Sequence, residues 1–186
     1  MKQYMITWVC LITLLAGSMH GGESALTDYK GEPRDTVRIG NQVWMAKNLS
    51  IPAPNSFWYE RDSVGNVENG QLYFFSGALM ACPKGWHLPS DEEWQQMVDF
   101  LGGKVDAKDK LMKGGSSGLN LTYAGYRSSN SSNDLFGRKG QTGFYWTSTV
   151  KAEQTAYART VSSDSLHVSS NFYRRANAFS VRFVKD

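Results

Sequence analysis

The chain has 186 residues, 41% of them hydrophobic and 13% aromatic, which is ample for one domain of ordinary size. A net charge of +3 with no long basic run excludes nucleic acid as a partner on composition. Its two cysteines, Cys10 and Cys82, lie far apart in sequence.

Residues 1–18 read as a secretory signal, with Lys2 as a minimal positive region and Met5 to Ala16 as the apolar stretch. Ala16-Gly17-Ser18 puts small residues before a cut at Met19. A membrane anchor would need roughly 20 apolar residues, and this run is shorter. Lipidation at Cys10 is the competing reading, but Thr7-Trp8-Val9 is a poor context for it. Export with cleavage is therefore expected, to the periplasm, the cell surface or the medium; the membrane is a partner only if the segment is retained. Once residues 1–18 are removed, Cys82 has no cysteine to pair with.

Residues 19–35 are polar and Gly-rich and read as a leader or linker. Thr36 to Met45 predicts a hairpin turning at Gly40-Asn41. Residues 50–70 form a long loop containing Phe57, Trp58 and Tyr59, which either plug the edge of the core or present a sugar-stacking surface. Leu72 to Ala81 predicts a first helix, with Gly77 allowing a close neighbour.

The clearest stretch follows. Pro83 and Gly85 make a turn, Trp86 to Leu88 a very short strand, and Ser90 with Glu93 a capping box. Asp91 to Leu101 is then a helix with Trp94, Met97, Val98 and Leu101 as its apolar stripe, ended by Gly102-Gly103. Trp86 and Trp94 are expected to share one core with Phe179, Val181 and Phe183. Asp106 to Lys113 adds one or two helical turns, and Lys104, Lys108, Lys110 and Lys113 read as a solvated basic face.

From Gly114 to Gly143 the chain is rich in Gly, Ser and Asn, with strand pieces at Tyr123–Arg127 and Phe144–Thr149. Alternation returns in Thr155–Val161, Ser165–Phe172 and Ala178–Val184, with Ser162-Ser163-Asp164 as a turn. One α+β domain is expected: two early helices, a long irregular loop region and a C-terminal antiparallel β-meander.

Several segments resemble the Fibrobacter succinogenes major paralogous domain, found in secreted and surface proteins of Bacteroidetes-type bacteria. Val37 to Leu49 is similar to its opening signature, and Gly70-Gln71-Leu72-Tyr73 to Ala78 to its second segment. Cys82 to Trp94, Ala124-Gly125-Tyr126-Arg127, Tyr145 to Thr149 and Phe179 to Asp186 continue the series. The resemblance spans residues 36–186 as a single domain and implies a C-type-lectin-like fold with paired terminal strands and a loop region that binds. Relatives often pair the position of Cys82 with a cysteine where this chain has Phe183, so a disulfide gives way to a thiol packed with a phenyl ring.

Catalytic and metal constellations are thin. Trp146-Thr147-Ser148 stands where calcium-dependent lectins carry Trp-Asn-Asp, and Asp134 is the loop region's lone carboxylate, too little for calcium. His87, Ser90 and Asp91 are triad residue types better explained by strand and cap. His87, His167 and Cys82 are not spaced as metal ligands. No cofactor is expected, and the sulfatase-maturing enzymes of lectin-like fold need a cysteine pair that this chain lacks. Three glycosylation sequons, at Asn48, Asn120 and Asn130, read as chance.

Arg127, Phe136, Arg138, Phe172, Tyr173, Arg174 and Arg175, set among Ser, Gly and Asn, have the composition of recognition loops. Arg127 and Arg182 have a second reading, as braces that bond backbone carbonyls. The expected function is a non-catalytic module binding a glycan or a protein at the cell surface. A structural subunit of a surface appendage is the alternative, and an enzyme comes third.

Overall fold

The computed structural model describes residues 35–129 and 136–186; the expected signal and nearly all of the leader fall outside them. In the first half lie strands β1 (Thr36–Ile39), β2 (Gln42–Met45), β3 (Ser56–Phe57), β4 (Leu72–Phe74) and β5 (Trp86–His87). Helices α1 (Phe75–Met80), α2 (Asp91–Phe100) and α3 (Gly103–Leu111) belong to the same half. Strands β6 (Tyr126–Arg127), β7 (Phe136–Gly137), β8 (Thr142–Ala152) and β9 (Thr155–Ser162) follow. The chain finishes with β10 (Ser169–Arg174), β11 (Ala178–Phe179) and β12 (Val184–Lys185). Among the described residues, three α-helices against antiparallel sheets make an α+β fold.

The β1–β2 hairpin turns at Gly40, whose φ of 58° suits a residue without Cβ. Its second strand pairs with β12 through Trp44 and Val184, so the two ends of the domain meet in the sheet β1-β2-β12-β5. Strands β8, β9 and β10 form an antiparallel meander, which starts one strand earlier than expected and leaves out Ala178–Val184. A third sheet, in the order β3-β4-β11-β6-β7, gathers the loop region.

Ser90 and Glu93 start α2 as expected. Ser90 Oγ accepts from Glu93 N at 3.1 Å, and Glu93 Oε2 accepts from Ser90 N at 2.7 Å. Trp94, Met97 and Val98 are buried, and Leu101 is half-buried. Asp91 has a further role. Its Oδ1 lies 2.6 Å from Nε of Arg159 on β9, and that arginine is 2% exposed. Arg159 Nη1 also donates to Gln95 Oε1, so a buried guanidinium pins the first turns of α2 to the meander.

Several expectations need correction. Leu72 to Phe74 is a strand and the first helix begins at Phe75, because Leu72–Phe74 is flanked on both sides by β3 and β11, and pairing outweighs local propensity. Gly77 does permit a close neighbour: a Cβ there would sit 2.6 Å from Pro54 O. The strand expected at Ser165 starts at Ser169, after a turn. Helix α3 begins at Gly103 rather than Asp106. The stretch Ala178–Val184 is two short strands in different sheets, separated by residues whose backbone bonds go elsewhere: Met45 N and Leu49 N donate to Phe183 O and Val181 O. Nor is there one core for both tryptophans. Trp86 packs with Phe179, Val181, Phe183 and the half-buried Cys82, whereas Trp94 packs with Trp44, Tyr145 and Val184 under α2 and α3. Strand β8 divides the two: Phe144 and Trp146 face the first cluster and Tyr145 the second.

The lysine run is not a uniform face either. Lys104 is exposed, but Lys108 donates to Ser165 O, Lys110 to Leu101 O at 2.7 Å, and Lys113 meets Glu68.

Candidate binding site

The residues singled out for recognition fall in two places. Arg127 on β6 faces Phe136 on β7. Its guanidinium lies 4.3 Å from the Phe57 ring centre and 5.2 Å from that of Phe74. Phe136 packs on Tyr59, with ring centres 5.1 Å apart. These rings form a small cluster with Leu72, Ala124 and Ala178, so Phe57 and Tyr59 plug the core edge. Arg138 is exposed at φ 61°, and its carbonyl accepts from Gln141 and Thr142 as β8 begins.

Phe172, Tyr173 and Arg174 lie on β10, the edge strand of the meander. Phe172 and Arg174 are exposed, and Tyr173 is half-buried. Arg175 lies over Phe75, 4.2 Å from the ring centre, and its Nη1 donates to Glu153 O.

Between these two places is an aromatic cleft of about 270 Å³, lined by Tyr126, Ser128, Phe144, Tyr173, Asn177 and Phe179. Phe144 and Phe179 stack at 5.0 Å and 19°. Tyr126 stands at 87° to Phe144 from one strand, and Tyr173 at 88° to it from another. Two glycines let Tyr126 reach this position. A Cβ on Gly125, at φ +74°, would lie 2.3 Å from Gly137 O, and one on Gly137 would press on the Tyr126 ring. Asn177 Oδ1 accepts from Ser129 N and Ser129 Oγ at 3.0 and 3.1 Å, fixing the polar rim. Burial pushes the Tyr173 hydroxyl above its ordinary pKa, against a hydrogen bond with Asn171, so it stays a neutral donor and acceptor.

Of the cleft, Tyr173 was identified from sequence, and Tyr126 only as part of a family segment. Phe144 and Phe179 carry no sequence signal beyond alternation, which marks them as core. Each is at once a core ring and part of the cleft wall.

A larger groove, of about 540 Å³, runs past Lys47, Asn48, Lys113, Asn120, Thr122 and Arg182. Arg182 is the carbonyl brace that the sequence allowed. Nε donates to Asn48 Oδ1, Nη1 to Met45 O and Leu119 O, and Nη2 to Asn120 O, at 2.6 to 2.9 Å. Burial lowers its pKa to about 10, against an opposing pull from Tyr145, so it remains a cation at neutral pH. Asn48, the first sequon position, is itself buried in this network.

The remaining candidates have other partners. His87 lies 2.7 Å from Glu93 Oε1 and 2.7 Å from Asp186 Oδ1, while Ser90 Oγ caps α2. Trp146 Nε1 donates to Tyr73 O and Thr147 Oγ1 to Tyr157 O, so that segment anchors β8. Asp134 and Asn130 lie outside the described residues.

The family model of the Fibrobacter succinogenes major domain matches residues 37–185, from β1 into β12. No curated protein and no solved structure matches the chain.

Proposed function

The chain belongs to the Fibrobacter succinogenes major domain family, and we propose that it is an exported, non-catalytic glycan-binding module of C-type-lectin-like fold. The observation that carries this reading is the aromatic cleft. Ring faces stack on the C–H surface of a sugar, and Ser128, Asn177, Tyr126 and Tyr173 give the lining polar groups of the kind that bond its hydroxyls. At about 270 Å³ the cleft suits a single sugar ring or one protein side chain. Its walls come from four different strands, so it is held by the fold rather than by a loop alone. The antiparallel pairing of β2 with β12 supports the lectin-like reading, because that fold joins its terminal strands. The apolar stretch before residue 19 supports export.

A glycan array probed with the purified protein tests this. Expected is binding to a defined subset of neutral glycans, lost in Tyr126→Ala and Tyr173→Ala while the melting temperature stays within a few degrees of wild type. A silent array together with capture of a protein that the same two substitutions abolish would move the cleft to protein recognition.

A further inference from the structure

We propose that the groove beside Arg182 is a second binding site, which takes the carboxylate of an acidic sugar. It shares no lining residue with the aromatic cleft. Arg182 is 1% exposed, and each of its hydrogen-bond partners is a neutral oxygen. Buried charges are ordinarily paired with an opposite charge, and among the described residues none bonds this one. A guanidinium carries five N–H donors, and the four bonds account for all but one on Nη2. Asn120, which accepts the Nη2 bond, is half-buried and lines the groove, whereas Met45 and Leu119, which accept the Nη1 bonds, are buried and do not line it. The remaining donor is thus on a nitrogen whose bonded partner lines the groove.

The surroundings select the ligand. Lys47 and Lys113 also line the groove, giving three cations against two carboxylates, Glu68 in the lining and Asp35 beside Lys47. Lys47 is held by Asp35 and Lys113 by Glu68, both at 2.6 Å, with every one of these side chains more than half exposed. Such exposed pairs are weak and exchange readily for a ligand carboxylate. Ser50, Asn120 and Thr122 add hydroxyl and amide groups suited to ring hydroxyls. The volume lies within the range of small-molecule sites, roughly 300–1,000 Å³. A carboxylate-bearing sugar matches both the charge and the polar wall.

Nitrogen-15 NMR of the purified protein tests the site directly, because the Arg182 Nε–H signal reports on the residue without mutating it. Galacturonate should shift that signal and the amides of Asn120 and Thr122, and galactose at the same concentration should not. The Lys47→Gln/Lys113→Gln double variant, altered only at exposed positions, should fold normally and bind galacturonate about tenfold more weakly. Tyr126→Ala should leave galacturonate binding intact, which separates this site from the aromatic cleft. Silence with galacturonate, equal shifts with galactose, or unchanged affinity in the double variant would overturn the proposal. So would shifts confined to Ser128 and Tyr173, or a tetraglutamate peptide binding where galacturonate does not.

Discussion

Arg182 Nε donates to Asn48 Oδ1 at 2.6 Å across 134 residues of sequence, joining the loop after β2 to the segment before β12. The same guanidinium satisfies the carbonyls of Met45, Leu119 and Asn120, so one side chain closes three separate stretches of backbone. Lysine has no planar fork and cannot reproduce four divergent bonds. Removing the partner of a buried polar group costs about 1–3 kcal/mol for each group left unsatisfied. Arg182→Met should therefore unfold most of the protein, and Arg182→Lys should lower the melting temperature substantially, as read by thermal denaturation followed by circular dichroism. A variant melting within two or three degrees of wild type would mean that these carbonyls find water instead.

Local sequence signals were reliable where the physics is local. The Gly40 turn and the Ser90–Glu93 box depend on residues a few positions apart, and both have the expected geometry. The strand at Leu72–Phe74 could not be read this way, because its partners β3 and β11 lie about 15 and 100 residues away. Ala178–Val184 alternates like one strand, yet Arg182 turns into the core and the run is divided between two sheets. The aromatic cleft was half legible. Tyr173 stood out among polar neighbours, but Phe144 and Phe179 look like any inward-facing rings until the sheets bring them beside Tyr126.

Asp91 and Ser90 reverse the ranking that the capping motif implies. Losing the Ser90 cap should cost only about 1 kcal/mol. Asp91 looks like a helix-dipole residue, yet its carboxylate is the ion-pair partner of Arg159, which is 2% exposed. Removing one member of a buried pair costs about 3–5 kcal/mol because the other charge is stranded. Denaturant unfolding should rank Asp91→Ala well below Ser90→Ala, with Asp91→Asn between them. Equal losses for Asp91→Ala and Ser90→Ala would show that Arg159 is not held by this pair.

Cys82 should be chemically quiet. Burial pushes its thiol up to about 11, with the nearby Asp186 adding to the shift against a backbone hydrogen bond from Leu88. The Sγ–H donates to Trp86 O at 3.0 Å, a bond that the thiolate would lose. Only the thiolate reacts, and at about pH 8 roughly one thiol in a thousand is ionised. With Cys10 replaced by Ala, Ellman's reagent should label the native protein hundreds of times more slowly than the denatured one. Native labelling at the rate of a free thiol would place Cys82 outside the Trp86–Phe183 cluster.

His87 makes the start of α2 sensitive to pH. Burial disfavours its charged form, but hydrogen bonds to Asp186 and Glu93, with the charges of both, outweigh that and raise its pKa above 6.5. Glu93 is shifted the other way. Its burial is outweighed by hydrogen bonds from Ser90 and by His87, so its pKa falls below 4.5. A raised histidine adds stability that is complete below the unfolded value and is lost as pH rises through the folded one. A lowered carboxylate adds stability that is present above its unfolded value and is lost as pH falls through the folded one. Both contributions are therefore in place between about pH 4.5 and 6.5, and the histidine part is lost on the alkaline side. His87→Gln keeps the size of the side chain and removes the charge. The melting-temperature gap between wild type and His87→Gln should be widest near about pH 5.5 and shrink toward about pH 9 as the folded imidazole loses its proton. A gap that stays constant across this range would mean that His87 acts through shape alone, and that its two carboxylate partners are not holding a proton on the ring.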